Sequence, residues 1–243
     1  MKKLIIKRLR IFSSVVLACL VLVVGVFAFS SQKVVSIVGT ESETPIYYGN
    51  RNKPQVGLMF NVYEGSEVVL EILKVLKTYN AKATFFVGGV WAEKNGEIIE
   101  KIFEAGHEIG NHGYFHLDHK KLSLNENVTE ISACHQMVKS LVGVEMNLFA
   151  PPSGSFSSNT LLSAEKLGYK TIMWTLDTID WRDKSWEIVY NRATKKVEWG
   201  NLILMHPKTH TLKALDKILE FYKERGITAV TVSQCIETDD SKV

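Results

Sequence analysis

The chain has 243 residues, enough for one large domain or two small ones, and 46% of them are hydrophobic, as in an ordinary globular protein. Its net charge of +3 comes from the amino terminus, because five of its 29 Lys and Arg residues lie within residues 1–10 and the remaining 24 face 26 Asp and Glu. The body of the chain is therefore slightly acidic, and a broad surface for nucleic-acid phosphates is not expected.

The first predicted element is a membrane segment. Residues 11–30, IFSSVVLACLVLVVGVFAFS, carry no charge, and twenty such residues can span a bilayer core. The basic flank at residues 1–10 predicts a cytoplasmic amino terminus. We therefore predict a single-pass signal anchor in the cell membrane, with the rest of the chain outside the cytoplasm. The alternative is a signal peptide cleaved near residue 30, which would make the protein secreted. Residues 31–53 are polar and are interpreted as a stalk or a loosely attached strand.

Strands and helices alternate from Pro54 onward. A predicted strand at residues 56–60 precedes a helix with apolar residues at Val69, Ile72, Leu73 and Leu76, a helical spacing. Further strands are predicted in AKATFFVGG, HEIGNHG, MNLFAPP, YKTIMWTLD, NLILMHP and ITAVTV, and further helices over residues 98–103, 125–141, 158–167, 186–197 and 212–225. This succession predicts one α/β domain over residues 54–235, built on a parallel sheet as a barrel or an open sheet, and a polar tail at 236–243.

The three cysteines give no metal pattern. Cys19 lies in the predicted membrane segment, and Cys134 and Cys235 are far apart in the sequence. A disulfide between the last two is possible in an exported domain. Two buried free thiols are the alternative.

Residues able to carry chemistry follow several predicted strands. In HGYFH, His112 and His116 are four residues apart and can both reach one metal ion. Three other groups stand at strand ends: DTIDW, with Asp177, Asp180 and Trp181; LILMH, which ends on His206; and the Pro-Gly turn APPSGSF. Because the carboxyl ends of parallel strands share one side of the sheet, these groups are expected to meet there.

Taken together and in this order, the stretches MFNVYEG, HGYFH, FAPPSGSF, WTLDTIDW and LILMH resemble one family. They are similar to polysaccharide deacetylases of the NodB-homology type, carbohydrate esterase family 4, over about residues 54–231, and look closest to the membrane-anchored sporulation branch. The resemblance implies a distorted (β/α) barrel with its site at the strand ends. It also implies a divalent metal, zinc or similar, and an N-acetylated glycan such as peptidoglycan or chitin as substrate.

The resemblance assigns roles to the matching residues. It implies that His112 and His116 are metal ligands, and that His206 is the general acid, oriented by Asp180. It further suggests that the substrate contacts aromatic and turn residues of the groove, namely Trp181, Pro152, Gly154 and Phe156.

Three positions depart from the family pattern. Asn61 stands where the family has its catalytic base, an aspartate, and Val62 where it has the metal-binding aspartate. Ala150 replaces the Arg that pairs with the base, and losing both partners together avoids an unpaired charge in the cleft. Asn61 can orient a water but cannot take its proton at neutral pH. Glu64 or Asp118 is a possible third ligand, and Glu64 a possible base.

The sequence thus leaves three hypotheses open. The main one is a deacetylase that hydrolyses N-acetyl groups of cell-wall or other GlcNAc-containing glycan with an altered base and a weakly held or absent zinc ion. The second is a catalytically silent glycan-binding protein that keeps the barrel and the groove. The third is an O-acetyl esterase, because an ester needs less activation than an amide.

Overall fold

The structure is a computed structural model that describes residues 44–238. The predicted membrane anchor at residues 11–30, its basic flank and most of the predicted tail lie outside the described residues. Within residues 44–238, no helix has the length and apolar character needed to cross a membrane.

Strands and helices alternate along the described chain, as the sequence predicts. The strands are β1 (Gln55–Val62), β2 (Thr84–Val87), β3 (Glu108–Asn111), β4 (Leu148–Phe149), β5 (Lys170–Thr171), β6 (Leu176–Asp177), β7 (Leu202–Met205) and β8 (Thr228–Val230). The helices are α1 (Ser66–Thr78), α2 (Gly89–Lys94), α3 (Gly96–Glu104), α4 (Leu124–Val142), α5 (Ser158–Lys166), α6 (Trp186–Thr194), α7 (Thr209–Glu224) and α8 (Val232–Ile236). Two 3₁₀ turns lie at His119–Lys121 and Pro152–Gly154.

The strands form one parallel sheet in the order β5-β4-β3-β2-β1-β7-β6, with β8 paired beside β1. This is the open half-barrel form of the predicted α/β architecture. β1 lies at its centre, and seven of its eight residues are buried, which suits a strand covered on both faces. The apolar stripe of α1 is buried as its spacing predicted, at Val69, Ile72, Leu73 and Leu76. The sheet therefore carries its carboxyl ends together at one opening.

The predicted strand YKTIMWTLD is not one strand. Its first part, β5, pairs with β4 at one edge of the sheet, whereas its last part, β6, pairs with β7 at the other edge. Between them, Ile172 bridges to Ile46, and the Met173 amide donates to the Ile46 carbonyl oxygen at 2.8 Å. Residues from the end of the predicted stalk thus lie against the sheet. The segment between β5 and β6 connects the two edges of the half-barrel.

Other local differences are small. β1 continues to Val62, so Asn61 lies inside the strand and not after it. The short helices α2 and α8 have six and five residues, too few for apolar periodicity to predict. Cys134 and Cys235 are both buried and free, which confirms the free-thiol alternative, and burial raises the pKa of each to about 12.

Candidate active site

The strand ends bring most of the predicted site residues to one cavity of about 260 Å³. Asn61 is near the end of β1, and His206 directly follows β7, whose residue Met205 is in register with Phe60. His112 directly follows β3, two strands from β1. The cavity is lined by Asn61, Tyr63, His112, His116, Ser153, Trp174, Asp177, Trp181, Leu204 and His206.

One side of the cavity is formed by the hydrogen-bonded pair of His206 and Asp180. Nδ1 of His206 lies 2.7 Å from Oδ1 of Asp180, while the His206 amide and the Thr211 hydroxyl donate to Oδ2, each at 2.7 Å. Burial acts to raise the pKa of Asp180, but the hydrogen bonds from His206 and Thr211 outweigh it and hold that pKa below its ordinary value. The Asp180 carboxylate accepts from Nδ1–H of His206 and so fixes that tautomer of the ring. His206, which lines the cavity, is therefore held in a defined orientation.

The residue before Asp180 has a strained backbone. Ile179 has a φ of 52°, a left-handed conformation that is a genuine outlier for a β-branched residue. Its amide donates to Oδ1 of Asp177 at 2.7 Å, which holds the turn from β6 into Asp180. Strain of this kind persists where the surroundings over-determine the backbone, and it clusters at functional sites.

The opposite side of the cavity carries the histidine pair. His112 is 1% exposed, and its Nδ1 lies 2.7 Å from the carbonyl oxygen of Ala150. Because a carbonyl oxygen only accepts, Nδ1 carries the proton and Nε2 keeps its lone pair. Burial, with the nearby charge of His116 next in importance, holds the pKa of His112 well below its ordinary value. Burial likewise lowers the pKa of His116, so both rings are neutral at pH 7.

A buried carboxylate holds the loop that presents His116. Oε2 of Glu130, on α4, accepts hydrogen bonds from the amides of Tyr114 at 3.0 Å and Phe115 at 2.9 Å, and Glu130 is 5% exposed. Oδ1 of Asn111 accepts from the Gly113 amide at 2.9 Å. His116 itself has a φ of 58°, so the loop needs this support to keep its shape.

The two histidines are spaced for a shared metal ion, but the remaining donors are not. Their ring centroids are 5.1 Å apart. Two imidazoles on one zinc ion, with Zn–N bonds of about 2.0–2.1 Å in tetrahedral geometry, have centroids about 5 Å apart. Among the described residues, however, no group of three His, Cys, Asp or Glu side chains is placed to hold a metal. Val62 is fully buried and offers no donor atom.

Neither carboxylate suggested by the sequence as a third ligand is free. The carboxylate of Glu64 forms an ion pair with Lys208. Oδ1 of Asp118 accepts from the Ser155 hydroxyl at 2.6 Å, and its Oδ2 lies 3.0 Å from the Lys121 ammonium. The described donor set therefore does not fit a tightly held zinc ion.

Asn61, which the resemblance predicts to stand in place of the family's base, lines the cavity. Its side chain is 2% exposed, and its Oδ1 has no hydrogen-bond partner among the described residues. A buried amide oxygen without a hydrogen-bond partner lowers the stability of a fold by about 1–3 kcal/mol. Such atoms are rare in native structures, and the one at Asn61 is consistent with a functional site. Ala150 is fully buried and packs in an apolar cluster with Met59, Phe86 and Leu148.

Aromatic side chains form the walls of the cavity. The Tyr63 ring lies 4.1 Å from the His116 ring and within 6.5 Å of His112 and 6.4 Å of His206, measured between centroids. Trp174 also lines the cavity, and Trp181 lines it with half of its surface exposed. Flat, partly exposed rings of this kind can stack on the apolar faces of sugars.

The Pro-Gly turn contributes differently from the prediction. Ser153 lines the cavity, whereas Pro152, Gly154 and Phe156 are not among its lining residues. Gly154 has a φ of 63°, and a Cβ there would lie 2.6 Å from the Trp174 ring, so this glycine lets the turn pack against the indole. Pro152 is buried and Phe156 half-buried. The turn therefore contributes Ser153 to the cavity lining, and its Gly154 packs against the Trp174 ring.

Comparisons with known proteins decide the family. A polysaccharide deacetylase family model matches residues 48–172. The chain belongs to the polysaccharide deacetylase family. The Bacillus subtilis protein YlxY is 36% identical over 79% of this chain and 60% of its own length, and a Bacillus cereus peptidoglycan-N-acetylglucosamine deacetylase is 32% identical over 81% of this chain and 73% of its own.

A solved structure agrees. The carbohydrate esterase family 4 pseudoenzyme of Bacillus anthracis superposes with a TM-score of 0.78 and 36% identity, over 80% of this chain and 69% of that one. The predicted family, whose named relatives include peptidoglycan deacetylases, is thus confirmed, and so is its parallel α/β architecture, which takes the form of an open half-barrel. The sporulation branch, the membrane anchor and the individual roles of the site residues stay predictions.

Proposed function

We propose that this protein binds N-acetylated glycan of the bacterial cell wall in the cavity above the strand ends. The observation that carries this proposal is the cavity itself, in which Tyr63, Trp174 and Trp181 surround the intact His206–Asp180 pair and the two neutral histidines. The named Bacillus relative is a peptidoglycan-N-acetylglucosamine deacetylase, which supports the same class of ligand for this chain.

On this ligand the described residues supply only half of a deacetylation mechanism. His206 can protonate a departing amine. No carboxylate stands at Asn61 to take a proton from water, and the histidine pair lacks the third donor of a metal site. A zinc ion held by His112 and His116 would polarise the acetyl carbonyl, but with two nitrogen donors it would be held weakly. We therefore propose glycan binding without efficient hydrolysis.

Hydrolysis of the acetamide is the second candidate, and the hydrogen-bonded His206–Asp180 pair favours it. Nδ1 of His206 and Oδ1 of Asp180 lie at hydrogen-bond distance, 2.7 Å. Glycan binding alone does not require such an acid, whereas hydrolysis does. A mutant of the Bacillus anthracis pseudoenzyme is described as having restored enzymatic activity, so a fold of this kind can be returned to catalysis.

One pair of measurements separates the two candidates. Wild-type protein and His206→Ala are tested for binding of chitotetraose by calorimetry and for acetate release from chitotetraose and peptidoglycan with zinc added. Binding by both forms without acetate release supports the proposal. Acetate release that His206→Ala abolishes would establish hydrolysis, and a wild type that binds no glycan would overturn both candidates.

The location is also proposed here. Residues 11–30 and their basic flank support a single-pass anchor that leaves the glycan-binding domain outside the cytoplasm. Cysteine labelling of intact cells with a membrane-impermeant reagent, after an exposed Ser158→Cys substitution, tests this. Labelling only after cell lysis would contradict it.

A further inference from the structure

A second groove lies beside the cavity, at the edge of the sheet formed by β6. It has a volume of about 510 Å³ and shares Asp177 with the cavity. One wall is formed by Thr175, Leu176 and Asp177, around the edge strand β6. The other wall is formed by α6 and the residues after it, namely Ile188, Asn191, Arg192, Lys195 and Lys196. Because Asp177 lines both spaces, a glycan strand longer than the cavity can extend toward this groove.

The groove is positively charged. Arg192, Lys195 and Lys196 are exposed cations, and Asp177 is the one carboxylate among its lining residues, so the lining carries a net charge of +2. Arg192 is only loosely paired, at 3.9 Å from Asp183.

The lysines have no partner of opposite charge on the described chain. Asp183 is held instead by Arg182, at 2.9 Å, and no carboxylate of residues 44–238 forms a salt bridge with Lys195 or Lys196. A cation in the last turn of a helix is commonly explained by the helix dipole, which accounts for Arg192. Lys195 is the C-cap residue of α6 and Lys196 follows it, so both also lie near the negative end of the helix dipole.

We propose that this cationic groove, formed by Arg192, Lys195 and Lys196, binds carboxylates carried by the same glycan strand whose acetamido group enters the cavity. The inference rests on the proposed glycan-binding function and names the ligand more narrowly. The ligand is an N-acetylated glycan with acidic substituents, such as the lactyl or stem-peptide carboxylates of peptidoglycan, and not neutral chitin. Because exposed ion pairs are weak and screened by salt, the groove selects among glycans and does not supply most of the affinity.

The test compares two defined ligands on the full-length protein in detergent. Chitotetraose is neutral, and the tetrasaccharide of alternating N-acetylglucosamine and N-acetylmuramic acid has the same backbone with lactyl carboxylates. At low salt the acidic tetrasaccharide should bind about three- to tenfold more tightly, as expected for a few exposed charge pairs, and the difference should disappear near 0.5 M NaCl.

The double variant Lys195→Glu/Lys196→Glu should lose this preference and keep the affinity for chitotetraose. Lys77→Glu/Lys101→Glu is the matched control, because it changes the net charge equally in a separate groove that shares no lining residue with the cavity. The proposal is overturned if the wild type binds both sugars equally at low salt, or if the groove variant keeps the preference of the control. If the wild type binds neither sugar, the proposed function itself fails.

Discussion

The carbonyl oxygen of Ala150 lies 2.7 Å from Nδ1 of His112 and fixes which nitrogen of that ring carries the proton. The contact comes from the backbone, so it does not depend on the side chain at position 150. His112 therefore keeps a defined tautomer, although the described residues place no group of three metal-ligating side chains together.

The first prediction concerns this tautomer. Nitrogen-detected NMR of imidazole-labelled protein should show His112 as the neutral Nδ1–H form at pH 6, because burial holds its pKa well below the ordinary value. The His112→Gln variant assigns the signal. A resonance that titrates near pH 6.5, or one with the proton on Nε2, would contradict the geometry.

The second prediction rebuilds the missing donors. In the variant Asn61→Asp/Val62→Asp, two carboxylates replace an amide and an apolar side chain at the end of β1, and without metal the buried charge at position 62 should destabilise the fold by roughly 3 kcal/mol or more. Zinc should reverse this loss and raise the Tm, because ligands that bind only the folded state stabilise it. Thermal unfolding with and without zinc measures both effects.

Val62→Leu is the control for the rebuilt site, since it changes the packing at position 62 and adds no donor. Its Tm should not respond to zinc. A double variant that is equally insensitive would mean that positions 61 and 62 do not face the histidine pair.

The third prediction concerns the Asp180 carboxylate. Asp180→Asn should lower the free energy of unfolding by about 2–4 kcal/mol, because it replaces an acceptor of three buried hydrogen bonds by a group that cannot satisfy them all. Asp183→Asn is the comparison, because it breaks an exposed ion pair with Arg182 and should cost far less. Urea unfolding of both variants decides the matter, and equal losses would count against a buried role for Asp180.

The fourth prediction concerns Glu130. Glu130→Ala should cost about 2–3 kcal/mol, because the Tyr114 and Phe115 amides lose their buried acceptor. Glu130→Gln keeps an acceptor oxygen and should cost less. If the loop is held as described, the alanine variant should also shift and broaden the NMR signals of His116, while the glutamine variant leaves them nearly unchanged. Identical behaviour of the two variants would indicate a purely steric role.

The fifth prediction is a pH dependence that arises at His107, away from the cavity. His107 is 7% exposed, and burial, followed by the nearby Lys82, lowers its pKa to about 4. The unfolded chain therefore takes up a proton near pH 6.5 before the folded protein does, and stability is lost as the pH falls from about 6.5 to 4. The loss should amount to about 2–3 kcal/mol.

His107→Gln should remove this part of the pH dependence, because glutamine does not titrate. Urea unfolding at pH 7 and pH 4.5 measures the slope for the variant and the wild type. Parallel slopes would show that His107 is protonated equally in both states.

The sequence was informative where structure follows from local spacing. The apolar stripe of α1 can be recognised because helical periodicity depends only on neighbouring residues. The meeting of His112, His116 and His206 could be expected because parallel strands align their carboxyl ends.

Features that depend on distant partners were not predictable. The stretch YKTIMWTLD has the pattern of one strand. In the structure its first part pairs with β4 and its last part with β7, and sequence periodicity carries no information about such pairing. Tyr63 and Trp174 escaped notice as wall residues because an aromatic side chain has no characteristic spacing, although both lie in the stretches that carry the family resemblance. The burial of Glu130 gives no signal in an otherwise ordinary helix pattern.

The division of that stretch has a consequence for solubility. The two strands at the edges of the described sheet, β5 and β6, are each two residues long, and β5 runs directly into the segment bridged by Ile46. An edge this short offers few unpaired amides and carbonyls to the sheet of another molecule. The edges of the half-barrel thus present little template for aggregation, which suits a domain proposed to fold outside the cytoplasm.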